Sequence, residues 1–239
     1  MVEVGCVPIL RHIMGIYMRS FYRDFVVCLG YKGEMVKRYF FEYPMMTNDV
    51  TVSNTGAMRI HADPTDQDRH FDVTMCDTGL TTGTAERLWR ARRHISGPTF
   101  LCTYGDGLSD VRIQDVVEFH NKHGKLATCV SVQQNSRYGV LEFGGWEDWV
   151  RSFSEKPKSS EWVNAGFFVF SREVLDYCGS TRTNAGEPSL EGILRVLAKE
   201  GQLMAYRHDG FFASCDTSKD LSELNQLYDK GDAPGTKGN

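Results

Sequence analysis

Short apolar runs alternating with segments of helical period constrain this chain more than any other feature. Phe25 to Leu29 (FVVCL), Thr99 to Thr103 (TFLCT) and Leu126 to Val132 (LATCVSV) read as buried strands, the first closed by Gly30. Around and between them the spacing changes to that of helices. Ile9, Leu10, Ile13, Met14 and Tyr17 share one face of Ile9 to Tyr17, and Met35, Val36, Tyr39 and Phe40 one face of Gly33 to Tyr43. Ala85 to His94 is a basic helical stretch and Ile113 to His123 an amphipathic one. Strands separated by crossover helices predict an α/β fold, a mainly parallel sheet flanked by helices. In such sheets ligands bind beyond the carboxyl ends of the strands.

Elsewhere the pattern is more strand-like. Asp49 to Val73 alternates as hairpins do. Val140 to Phe143, Val150 to Phe153 and Trp162 to Phe170 read as strands with polar or glycine-rich turns between them. Leu190 to Glu200 is an amphipathic helix stopped by Gly201, Leu203 to Arg207 a strand, and Lys219 to Lys230 a last helix. No repeat, low-complexity stretch or linker divides the chain. One domain is expected over residues 1–230, followed by a fraying tail, 231–239, rich in Gly, Asp, Pro and Lys.

Composition narrows the function. A net charge of −4 argues against a general nucleic-acid binder, but leaves room for a locally positive pocket for a small anion. No apolar stretch approaches the ~20 residues of a membrane-spanning helix, and Met1 to Leu10 lacks the pattern of a signal peptide. The seven cysteines contain no Cys-x-x-Cys pair, and four of them (Cys28, Cys76, Cys102, Cys129) sit in or beside apolar runs. Buried free thiols in a reducing cytoplasm are the expectation.

Several polar residues carry possible chemistry, and each reads two ways. Asp106 lies between Gly105 and Gly107, directly after a strand. A carboxylate there suits Mg²⁺, which takes one or two protein carboxylates and fills its shell with waters and phosphates; Gly-Asp-Gly is also an ordinary turn. Lys156, in Glu155-Lys156-Pro157-Lys158, is a point charge for a phosphate or part of a solvated turn, and Pro157 disfavours a helical conformation at Lys156. Asn164 interrupts the apolar run Trp162 to Phe170 and needs a partner, either a sugar hydroxyl or a backbone group. Asp216 is a second metal ligand or the N-cap of the last helix. The loop from Asp77-Thr78-Gly79 to Thr84-Ala85-Glu86-Arg87 opens a helix and offers amides to an anion, or is simply solvated. His120 and His123, spaced i, i+3 without a nearby acid, read as surface residues.

In order along the chain, these motifs resemble the sugar-phosphate nucleotidyltransferase family. The resemblance rests on Met1-Val2-Glu3-Val4-Gly5, Leu29-Gly30-Tyr31-Lys32-Gly33, Asp77-Thr78-Gly79, Thr103-Tyr104-Gly105-Asp106-Gly107, Phe153-Ser154-Glu155-Lys156-Pro157-Lys158, Asn164-Ala165-Gly166 and His208-Asp209-Gly210-Phe211 to Asp216-Thr217. Within the family, the Leu-Gly-Tyr-Lys-Gly, Thr-Tyr-Gly-Asp-Gly and His-Asp-Gly-Phe runs are similar to the glucose-1-phosphate cytidylyltransferase branch. That resemblance implies a Rossmann-like sheet with a β-rich sugar-binding portion. It also implies a cytoplasmic, homo-oligomeric enzyme of nucleotide-sugar and O-antigen biosynthesis, converting CTP and α-D-glucose 1-phosphate to CDP-glucose and diphosphate. On it, Asp106 and Asp216 would hold Mg²⁺, Lys156 would grip the sugar phosphate, and Glu155 and Asn164 would bond glucose hydroxyls. Gly139, in Arg137-Tyr138-Gly139-Val140, would line the sugar pocket, with Arg87 and Thr84 near the cytosine.

Two departures accompany the resemblance. The family opens with a strand and a loop of the form Leu-Ala-Gly-Gly-x-Gly-Thr-Arg, and this sequence is expected to be truncated before the stretch starting at Met1. The family's Thr-Gly-Gly-Arg reads Thr84-Ala85-Glu86-Arg87, whose Ala and carboxylate are expected to crowd or repel a nucleotide. A non-catalytic sugar-phosphate-binding relative of the same fold is the alternative.

Overall fold

In the computed structural model of the chain, residues 1–63, 65, 70–136, 138–146, 148–179 and 189–231 are described. Arg137 and residues 232–239, most of the expected tail, lie outside them. The elements alternate as the periodicity predicts: β1 (Glu3–Val4), β2 (Val7–Pro8), α1 (Ile9–Met18), β3 (Asp24–Leu29), α2 (Gly33–Thr47), β4 (Asp49–Val52), β5 (Met58–His61), β6 (Asp72–Asp77) and α3 (Thr84–Ala91). A 3₁₀ turn, Arg92–His94, leads to β7 (Thr99–Thr103), β8 (Gly107–Ser109), α4 (Ile113–His123), β9 (Ala127–Val132), β10 (Val140–Phe143), β11 (Val150–Ser154) and β12 (Val163–Ser171). The chain continues through α5 (Val174–Gly179), α6 (Leu190–Lys199), β13 (Leu203–His208), β14 (Phe212–Ser214) and α7 (Ser218–Asp229).

The central sheet has the order β13-β9-β12-β7. β13 runs parallel to β9, whereas β12 is antiparallel to both β9 and β7. Three strands therefore point one way and β12 the other. The reversal follows from the connection: β12 is reached through the β10–β11 hairpin rather than a crossover helix. β3 and β6 form a separate parallel pair. The short antiparallel pairs β1·β2 and β8·β14 were not legible as apolar runs.

β12 explains why helices cover both faces. Ala165 to Phe170 are all buried, as expected of a central strand with no solvent side. Successive side chains point to opposite faces. Phe167 and Val169 join a cluster with Ile13 and Tyr17 of α1, Val116 of α4 and Leu224 of α7. Phe168 and Phe170 join another with Val174 of α5, Ile193 and Leu197 of α6 and Ala85 of α3. Two cores thus share one strand.

Helix ends follow local chemistry. Gly201, just after α6, has φ of +65° and its N–H bonds the Ala198 carbonyl. α2 runs further than expected, through Pro44. Proline removes the amide that would bond the Phe40 carbonyl, and at the helix end side chains serve the last carbonyls: Thr47 Oγ1 donates to that of Tyr43 (2.8 Å) and Asn48 Nδ2 to that of Pro44 (2.8 Å).

The histidine pair departs from the sequence reading. His120 is buried, with Nδ1 2.9 Å from Thr128 Oγ1 and Nε2 3.3 Å from Ser171 Oγ. His123 Nε2 reaches the same Thr128 Oγ1 at 2.7 Å. Hydroxyls of Thr128 on β9, just after α4 in sequence, and of Ser171 on β12, 51 residues from His120, draw the rings inward. His12 is buried as well: its Nε2 bonds the Val4 carbonyl at 2.9 Å, leaving Nδ1 bare. Burial lowers the pKa of all three below the ordinary 6.5. The unfolded chain therefore binds more protons than the folded one in the mildly acidic range. The stability these neutral rings contribute is complete above about pH 6.5 and is lost as the pH falls toward their folded values. The melting temperature is expected to be level above pH 7 and to decline from pH 6.5 to 5.5. A level profile across that interval would refute this.

Candidate active site

Asp106 sits in the turn between β7 and β8, beyond the carboxyl end of β7. β8 pairs with β14 in the register Gly107↔Ser214, and the Cys215 N–H bonds the Asp106 carbonyl at 2.9 Å. This brings Asp216 beside Asp106. The cap of α7 is not Asp216. Thr217 takes that place, in a capping box with Asp220. The Asp216 carboxylate is left facing the turn, where Ser214 Oγ donates to its Oδ2 at 2.8 Å. Burial, and then the negative charge of Asp216, raise the Asp106 carboxyl above its ordinary value.

Two converging carboxylates without a cation are a costly arrangement that a divalent ion relieves. Among the described residues no ion pair involves either acid, and no group of three or more His, Cys, Asp or Glu side chains gathers at a metal-binding spacing.

Asp110 fixes this geometry and was missed in the sequence. Its Oδ1 accepts from the Phe211 N–H (2.8 Å) and lies 2.7 Å from His208 Nε2. A Cβ on Gly210 would collide with that carboxylate. The His-Asp-Gly-Phe motif is thus a clip that holds β14 against β8. The signal was present as a second acid shortly after Asp106, but its partners lie about a hundred residues away.

The Asn164 bulge packs against the same turn. Asn164 is exposed, and its Oδ1 accepts from the Gly166 N–H (2.9 Å), so of the two partners expected for it the structure shows the backbone group; the β12·β9 ladder shifts register at this point. The Tyr104 N–H bonds the Gly166 carbonyl (3.2 Å), and Gly166, at φ +76°, leaves room for the Tyr104 ring. Tyr104 OH donates to the Glu191 carboxylate of α6; burial and that carboxylate push the phenol well above its ordinary range.

Glu155 and Lys156 follow β11 and are exposed. Lys156 has a left-handed φ of +48°, rather than the extended backbone expected before proline. Its loop is tied to residues 134–136, with Ser136 N–H bonding the Pro157 carbonyl (2.8 Å). Gly139 lies beneath it: a Cβ there would meet the Phe153 ring at 2.5 Å and Glu155 Oε2 at 3.2 Å. Lys158 Nζ, 3.9 Å from Asp209, connects this loop to the clip.

Arg87 binds two loops rather than projecting freely. Its Nη1 donates to the Leu29 carbonyl (3.1 Å) and Thr78 Oγ1 (2.7 Å), and its Nη2 to the Leu80 carbonyl (3.3 Å). Thr84 Oγ1 accepts from the Leu190 N–H at 2.8 Å. Of the Thr84-Ala85-Glu86-Arg87 stretch, Ala85 is buried in the core beside α6 and Glu86 pairs with Arg90. A cavity of about 830 Å³, lined by Asp77, Trp89, Arg92 and Arg172 among others, lies between α3 and α5. Neither Asp106 nor Asp216 lines it.

The nucleotidyl transferase family profile matches residues 1–230. A curated glucose-1-phosphate cytidylyltransferase of Salmonella typhimurium is 39% identical over 238 residues, covering 98% of this chain and 89% of that one. A probable glucose-1-phosphate cytidylyltransferase of Bacillus subtilis is 37% identical over 229 residues, covering 95% and 87%. Among solved structures, HddC from Yersinia pseudotuberculosis superposes with a TM-score of 0.64 at 16% identity, covering 95% of this chain and 88% of that one, which supports the fold.

Proposed function

The chain is a sugar-phosphate nucleotidyltransferase of the nucleotidyl transferase family, and we propose that it joins CTP to α-D-glucose 1-phosphate, releasing diphosphate and forming CDP-glucose. The observation that carries the reading to this chain's own residues is the pairing of Asp106 with Asp216 at the end of the central sheet. A sugar phosphate oxygen attacks the α-phosphorus of CTP, and diphosphate leaves opposite it. Such transfers depend on positioning and charge neutralisation more than on covalent help.

Asp106 and Asp216 would hold Mg²⁺, which, when bound, neutralises phosphate charge. Lys156, a compact point charge on constrained backbone, binds the sugar phosphate. Glu155 and Asn164 take glucose hydroxyls, with Gly139 keeping that wall low. Arg87 and Thr84 order the loop beside the cytosine through the bonds described above. We also infer one domain over residues 1–230. The exposed apolar side chains of the β10–β11 hairpin, Leu141, Phe143, Trp149 and Phe153, favour a homo-oligomer, since a hairpin paired only with itself is marginal alone. No described helix is long and apolar enough to cross a membrane.

The test is synthesis of CDP-glucose from CTP, glucose 1-phosphate and Mg²⁺, followed by chromatography. Lys156→Ala is expected to raise the KM for glucose 1-phosphate about tenfold or more, the size of a lost charged hydrogen bond, with the KM for CTP nearly unchanged. Calorimetric binding of glucose 1-phosphate without any product would sink the catalytic reading and favour a sugar-phosphate-binding relative.

A further inference from the structure

The first turn of α6 touches both ends of the proposed nucleotide site. The Leu190 N–H, one of the amides a helix start leaves without an internal partner, donates to Thr84 Oγ1, the first residue of α3. One residue on, the Glu191 carboxylate accepts from Tyr104 OH. Thr84 ends the loop that begins at Thr78, whose fold Arg87 and Arg90 fix. Tyr104 is two residues from Asp106 and is held on its other sides by the Gly166 carbonyl and the Phe168 ring, 5.7 Å between centroids. Ser189 caps the helix through the Gly192 N–H (3.2 Å), so the turn has a fixed form. Beneath it Leu190, Ile193 and Ala85 share one core cluster.

The bland alternative is that these are two separate surface hydrogen bonds, each of local value. The geometry argues otherwise, because adjacent residues of one capped turn grip two loops that no strand pairing joins among the described residues: β6 pairs with β3, and β7 with β12. We propose that Glu191 and Thr84 are positioning residues, and that the first turn of α6 sets the distance between the Asp106 turn and the Thr78–Thr84 loop. In the proposed reaction, on which this inference rests, that is the distance between the phosphate and base ends of bound CTP. Glu191 acts through Tyr104 and touches no reacting atom.

The test uses the full chain with Glu191→Ala, Tyr104→Phe and Thr84→Val. Amide exchange by mass spectrometry is read on peptides covering 78–84 and 104–110, without substrates. Glu191→Ala is expected to speed exchange in both peptides, although it contacts only the second. Thr84→Val is expected to do the same from the other side. In turnover, each variant should raise the KM for CTP about fivefold, within the range of one lost hydrogen bond, and leave the KM for glucose 1-phosphate within about twofold. Glu191→Gln, which keeps an acceptor, should restore most of the loss. Faster exchange confined to the peptide each variant touches would overturn the proposal, as would equal changes in both KM values. The exchange result stands whatever reaction the chain performs, so coupled exchange without CDP-glucose synthesis would indict the reaction and keep the clamp.

Discussion

Replacing Asp106 with Asn is expected to lower kcat/KM for CDP-glucose formation by about 100- to 1,000-fold, the loss typical of one preorganised electrostatic group. The substitution keeps size and shape, and the Asp106 carbonyl that receives the Cys215 N–H is untouched. Stability should behave oppositely. Burial and the neighbouring Asp216 both disfavour the charged Asp106 carboxylate in the folded chain, so removing the charge relieves strain. The variant is expected to melt at the same temperature or slightly higher in metal-free buffer. Steady-state kinetics beside a thermal melt decides the matter. A variant that unfolds early and keeps its specific activity would show Asp106 to be a turn residue and nothing more.

The largest effect on folding is expected at Phe170. Its side chain is fully buried, 5.3 Å from Phe168 and 5.6 Å from Phe100 between ring centroids. Phe170→Ala removes a ring from a close-packed site and leaves a cavity that β12, hydrogen-bonded on both sides, cannot collapse. The cost is about 3–5 kcal/mol, a large part of the stability of an ordinary domain. Phe153→Ala is the comparison: that ring is 62% exposed, and its loss is expected to cost about 0.5 kcal/mol or less. Urea titration of both variants gives the contrast directly, and similar midpoints would contradict the burial argument.

The helices and central strands were legible because their information is local. Thr99–Thr103 and Ile113–His123 are found as the periodicity predicts, and α1 extends one residue past its predicted end, Tyr17. Phe167 to Phe170 was legible as part of an apolar strand, whereas the division of its side chains between two cores belongs to the fold. The candidate site was legible differently. Asp106 and Asp216 were visible as acids near turns, but composition could not decide between ligand and cap. The structure removes the cap from that choice, because the Thr217 hydroxyl takes the α7 amide and leaves Asp216 outside the helix start. His120 was misplaced because the chain turns back after α4 to set Thr128 of β9 against it, and because Ser171, 51 residues away, reaches it only in the folded chain. Asp110 and Glu191 went unnoticed because each acts on a residue far away in sequence. Local pattern gives elements, and long-range hydrogen bonds decide what their polar residues do.

β12 carries one further consequence. Its odd-numbered side chains belong to the core beneath α1, α4 and α7, and its even-numbered ones to the core beneath α5 and α6. Neither core can come apart while the other keeps the strand in place, because the same backbone closes both. The two cores therefore gain or lose their order as a single cooperative unit. A weakness on the α6 side, remote from Asp106, is transmitted to the population of intact sites as directly as a weakness beside it.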